Sequence, residues 1–145
     1  MQPLLLQLHQ VLTTDTPLLA LIPSENIGAS IRQNAGSPCL EYGIDGEEAN
    51  HSRQRSLTLV FVIASQTGAE STYAIKERLE ALMTAKKLST PIAPAPPAQP
   101  VALVFNVVQV KLTDSRVHSR TGWAHAIRAE FDLMVADKRP QTQKQ

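Results

Sequence analysis

Two long stretches, residues 101–112 and 123–135, constrain the fold more than anything else in this sequence. In the second, Trp123, Ile127, Phe131, Leu133 and Val135 take one parity, while Arg128, Glu130 and Asp132 take the other. A repeat of two sends these sets to opposite faces of a strand, one buried and one wet. At roughly 3.3 Å per residue each strand would run about 40 Å. A compact domain of this length has a radius of gyration of only about 15 Å. The pair therefore predicts a β-hairpin that crosses the whole domain, with reach to project beyond it as an arm.

The rest of the chain reads as alternating helix and strand. Residues 2–13 place Leu4, Leu5, Leu8, Val11 and Leu12 in one helical stripe, with Gln7, His9 and Gln10 outside it and expected at the surface. Thr16 offers an N-cap and Pro17 suits a first helical position, so a helical turn closed by Pro23 should follow. Ile27, Ala29 and Ile31 alternate as a short strand. Residues 38–44 make a second strand, bounded by Gly36 and Gly46, and 45–53 read as an exposed loop. Residues 57–64 are apolar on both parities except for Thr58, as in a central strand covered on both sides. Thr67-Gly68-Ala69-Glu70 has capping-box spacing and opens a helix with Ile75, Leu79, Leu82 and Met83 on one face. Residues 89–100 carry Pro91, Pro94, Pro96, Pro97 and Pro100, a surface connector in extended geometry. Residues 137–145 are polar and read as a flexible tail. The expectation is an α/β (α+β) fold with one domain over 1–136. In it, a single mixed, largely antiparallel sheet is packed by the N-terminal and central helices and ends in the long hairpin.

Composition narrows the function classes. Of 145 residues, 43% are hydrophobic and 19% charged, which is ordinary globular usage. The net charge of +1 supplies no global basic field for nucleic acid. A single cysteine, Cys39, cannot form an internal disulfide. The apolar run 4–6 is short and lacks a positive lead, so no signal peptide is expected. No apolar stretch approaches the ~20 residues of a membrane helix. These features fit a soluble protein made in a cytoplasm.

Catalytic signatures are missing. There is no phosphate-binding glycine loop, dinucleotide fingerprint or serine-hydrolase elbow. His9, His51, His118 and His125 lack zinc-site spacing, although His118 and His125 flank the hairpin turn. Cys39 sits in apolar sequence and reads as a small buried hydrophobe rather than a nucleophile. Asp45, Glu47 and Glu48 lack calcium-loop spacing and read as solvated. No cofactor or metal is expected. Arg116, His118 and Arg120 occupy alternate positions near Lys111. They form either a solvated charged turn or a contact arm for an acidic partner or a phosphate backbone. Trp123 is either core or interface.

The Leu4–Leu12 stripe, the 17–22 turn, Ser37-Pro38-Cys39-Leu40-Glu41-Tyr42-Gly43, the 57–83 block and Val117-His118-Ser119-Arg120-Thr121-Gly122-Trp123 into Ala126-Ile127-Arg128-Ala129-Glu130-Phe131 stand in a distinctive order. That order resembles the tail-terminator and tail-completion proteins of long-tailed bacteriophages over residues 3–136. The 89–100 connector departs from the pattern. The resemblance implies a non-enzymatic homohexameric ring that caps the tail tube, stops its polymerisation and joins it to the head-side neck. Its partners would be copies of itself, the tail tube protein and a neck or connector protein. It would reside in the virion after assembly in the host cytoplasm, and any DNA contact would be left to the ring lumen. A cyclic ring needs two different patches on each subunit. Asp45, Glu47 and Glu48 on one side, and Lys111, Arg116, His118 and Arg120 on the other, are the candidates. The alternatives are a neighbouring neck or head-completion protein, or a small ligand-binding or enzymatic domain near Cys39 and His51.

Overall fold

Strand β3 (Gln54–Ser65) carries Leu57, Leu59, Phe61 and Ile63 on one face, and the helices settle against that face. The computed structural model describes residues 2–29, 36–49, 54–92, 102–118 and 121–138. The other strands are β1 (Ile27–Gly28), β2 (Cys39–Ala49), β4 (Phe105–Val117) and β5 (His125–Asp137). The order is β1-β2-β3-β5-β4, with β1 parallel to β2 and every other pairing antiparallel. The expected fold class, a mixed and largely antiparallel sheet packed by helices, is the one observed.

The hairpin β4–β5 forms but does not project. Strand β5 is paired on β3 along its length, without a register break, from Gln54↔Ala136 to Ser65↔His125. Its backbone groups are therefore satisfied inside the sheet, and β4 is laid along its far side as an edge. The hairpin strands also start later than the sequence pattern implied, at Phe105 and His125, and run on to Val117 and Asp137. Strand β2 differs more. The acidic stretch expected as a loop continues the strand to Ala49 through a bulge at Asp45. Pairing with β3 supplies the backbone hydrogen bonds, and an edge position leaves the acidic side chains in water.

Helices α1 (Gln2–Thr14) and α3 (Ala69–Leu82) cover the inner face with the short α2 (Thr16–Leu19) and α4 (Ala85–Ser89). Leu4, Leu8, Val11 and Leu12 are buried, as the stripe requires. Gln7 is buried as well, contrary to its place outside that stripe. Its amide donates to Thr90 O at 2.7 Å and to Lys87 O at 3.4 Å, two carbonyls at the C-terminal end of α4, where helical acceptors run short of donors. His9 is half-buried and bonded to the Tyr42 hydroxyl at 2.7 Å. The cap of α2 is Asp15, which accepts from Leu18 N at 2.9 Å, and not Thr16. At α3 the cap position is Gly68, at φ 118, with no side-chain bond to the helix. Thr67 instead contacts the Ser65 hydroxyl at 3.0 Å, so the capping box does not form. Helix α4 was not expected. Thr84 caps it by accepting from Lys87 N at 3.1 Å, and its Ser89 hydroxyl donates to Val107 O and accepts Val107 N–H at 2.8 Å.

Ile75, Leu79, Leu82 and Met83 of the central helical segment enter the core formed with Leu59, Phe61 and Phe131. The Phe61 and Phe131 rings meet edge to face at 5.7 Å between centroids, a geometry worth about 0.5–1.5 kcal/mol beyond area burial. Arg78, on the other face of α3, forks onto Asp15 with bonds of 2.8 and 2.7 Å. This pair ties the N-terminal helices to α3. Among the described residues no helix is long and apolar enough to cross a membrane. Most of the connector, 93–100, and the tail beyond Lys138 lie outside the described residues.

Two measurements check this packing. Leu79 is 1% exposed, so Leu79→Ala should cost about 2–5 kcal/mol in urea unfolding; a loss below about half a kcal/mol places this helix face outside the core. The Arg78 hydrogen bond holds the Asp15 carboxyl below the usual carboxylate range, against the opposing pull of burial. A depressed folded pKa gives stability that is complete above the ordinary value of about 3.9 and is lost as pH falls through the folded value. Asp15→Asn should therefore flatten the acid limb of stability against pH, and an unchanged limb would show that the pair does not couple to folding.

Candidate assembly interface

Among the described residues, no helix residue of the core cluster lies on the second face of the sheet; apart from buried Val62 and the Cys39–Ala64–Ala126 end beneath Trp123, that face is open. Register sets out what it carries. Glu41, Val62, Arg128 and Arg116 form one row across β2, β3, β5 and β4. Gly43, Val60, Glu130 and Asp114 form the next, followed by Gly46, Thr58, Asp132 and Lys111. The row of Glu48, Ser56, Met134 and Gln109 completes the array. Acidic side chains outnumber basic ones on this face.

An ion-pair chain runs across it. Arg128 reaches over β3 to Asp45 on β2 at 3.7 Å and bonds Glu130 through Nε at 3.0 Å. Arg116 lies 4.0 Å from Glu130 and also pairs with Asp114. On β5, Asp132 accepts from the Thr58 hydroxyl at 3.1 Å. Two shallow depressions flank this chain. One, of about 240 Å³, is lined by Gly43, Asp45, Val60 and Arg128. The other, of about 500 Å³, is lined by Gly46, Glu48, Lys111 and Asp132. Neither glycine meets anything within 4 Å of where a Cβ would stand, and both floors stay open.

The structure thus places the sequence-derived candidates differently from a loop facing a turn. Asp45 and Glu48 on β2, and Lys111 and Arg116 on β4, share one face at opposite edges of one sheet. Glu47 takes the opposite parity, beside Leu57, and pairs with Arg55 at 2.7 Å. The Arg55 bond holds its carboxyl below the usual range. His118 continues the strand, its N–H donating to Ala126 O at 2.8 Å, and Arg120 lies outside the described residues. Glu41, Arg128, Glu130 and Asp132 were not among the candidates. The signal for three of them was the wet parity of 123–135.

Of the two residues of the enzymatic alternative, the described residues include only Cys39. Cys39 is buried at 1% exposure, packed with Ala64 and Ala126 under Trp123. Trp123 is half-buried and closes this end of the open face. His51 lies outside the described residues. His125 turns to the helical face, 2.7 Å from the Thr72 hydroxyl, and so does not approach His118 across the turn. Among the described residues no group of histidine, cysteine, aspartate or glutamate is placed to hold a metal ion.

Strand β4 adds apolar exposure to this picture. Val108, Leu112 and Val117 are 54%, 39% and 63% exposed on an edge that, among the described residues, bears no strand on its outer side. Exposed apolar side chains on an unpaired edge mark a surface for association, managed in monomers by charges and bulges. Both devices are here: register shifts break the ladder near Val108 and Thr113, and Lys111 and Arg116 stand along the strand.

No family model and no curated protein matches the chain. Among solved structures, it is similar in fold to a chain described as "Virion of native gene transfer agent (GTA) particle". That likeness has a TM-score of 0.58 at 12% identity and covers 91% of this chain and 93% of the other.

Proposed function

We propose that the protein is a structural component of a phage-like virion, a ring subunit that caps the tail tube, ends tail polymerisation and joins the tail to the head-side neck. The observation that carries this reading is the fold shared, over nearly the whole of both chains, with a component of a gene transfer agent virion. The order of elements that resembles phage tail terminators points the same way. A polar open face and two chemically different sheet edges suit a subunit whose contacts are heterologous and repeat around a closed ring. On this reading the protein is not an enzyme, it works as a homohexamer against the tail tube and a neck protein, and it resides in the virion after assembly in the host cytoplasm. A neighbouring neck or head-completion protein is the second reading, because the similar chain is described by its particle and not by its position in it.

Electron microscopy of particles lacking the protein separates the two. Loss of a terminator should give overlong tails without heads; normal-length tails that fail to join heads would assign it to the neck instead. Cys39 offers a further check. In the folded protein it should resist thiol reagents, and Cys39→Ala should cost on the order of 1 kcal/mol in packing while leaving tube capping intact. Loss of function without loss of folding would favour chemistry at this residue.

A further inference from the structure

The two edges of the sheet are built to meet each other. We propose that neighbouring copies of this chain associate edge to edge, the outer side of β4 in one copy lying antiparallel to the outer side of β2 in the next, so that the sheets run on from subunit to subunit. This rests on the ring reading above and specifies the contact that closes the ring.

Strand direction comes first. Strands β2, β3, β5 and β4 alternate in direction, so β4 runs opposite to β2. Rotation about an axis along the strands preserves direction and brings β4 of one copy beside β2 of the next in antiparallel sense. Availability comes second. Strand β1 pairs only with Leu40 and Glu41, which leaves the outer side of β2 from Gly43 to Ala49 without a strand among the described residues. On β4, Ser89 occupies both backbone groups of Val107, and beyond it the outer side from Gln109 to Val117 bears no strand among the described residues.

Charge comes third. In antiparallel approach Lys111 meets the Glu48 end of β2, and Arg116 meets the Asp45 end. All four stand on the open face, as a sheet continued in its own plane requires. Among the described residues neither Glu48 nor Lys111 has an ion-pair partner. Gly43 and Gly46 leave open space on the same face for long basic side chains to lie across β2. The contact also covers exposed Leu112 and Val117, which a lone subunit leaves in water. Charged residues and bulges on both strands bar indiscriminate edge pairing and admit the complementary edge.

Charge reversal tests this with two variants of the full chain. Lys111→Glu with Arg116→Glu makes both edges acidic; Asp45→Lys with Glu48→Lys makes both basic. Each alone should associate at least about tenfold more weakly than the native protein, by sedimentation and by capping of purified tail tubes, while thermal unfolding shows it folded. An equimolar mixture should recover rings, because each acidic edge then meets a basic one. Should a reversal disturb folding, Lys111→Gln with Arg116→Gln replaces it and must still weaken association. If both variants assemble like the native protein, or the folded mixture fails to recover, edge pairing is wrong while the ring reading stands. If the native protein forms no ring even on tail tubes, the ring reading fails first and the contact with it.

Discussion

The uninterrupted ladder between β3 and β5 holds the rest of this structure in place. It pairs every position from Gln54 to Ser65 with one from Ala136 back to His125. Because side-chain direction has a period of two, this one register decides which residues meet the helices and which meet water. A slip by a single position would turn Phe131 and Leu133 outward and bring Arg128 and Glu130 against Phe61. The apolar set on the inner side makes that slip costly, so the register is strongly specified. The outer strands inherit it, with bulges in β2 and β4 where each departs from the ladder.

From that division the two faces acquire separate tasks. The inner face builds stability: α3 lays Ile75 and Leu79 over it, α1 adds Leu8 and Leu12, and the Asp15–Arg78 fork locks the helices to one another. The open face contributes little to folding, since exposed ion pairs are worth about 0–1 kcal/mol. In the proposed contact, its ordered charges and glycine-floored depressions set the register of a neighbour.

Periodicity made the parts that depend on local pattern legible. The buried stripe of α3 and the wet parity of Arg128, Glu130 and Asp132 follow from spacing alone. What spacing missed depends on contacts distant in sequence. Asp45, Glu47 and Glu48 look like a loop by composition, yet pairing with β3 makes them strand. Gln7 looks exposed because its partners, the Lys87 and Thr90 carbonyls, stand at the end of a helix more than seventy residues away. The capping box failed because Gly68 took the cap position that Thr67 was expected to fill. At the candidate site, the residue types were legible and their placement was not. Only the sheet order shows that Asp45 and Glu48 share one face with Lys111 and Arg116.

The account turns on whether copies of this chain close into a ring through those edges. The most direct measurement is an electron cryo-microscopy reconstruction of the full-length protein bound to purified tail tubes. The account predicts six copies at one end of the tube, with β4 of each beside β2 of the next and Lys111 facing the Glu48 region of its neighbour. A single copy bound to the tube, or a ring joined through the helical face with both sheet edges in solvent, would contradict it.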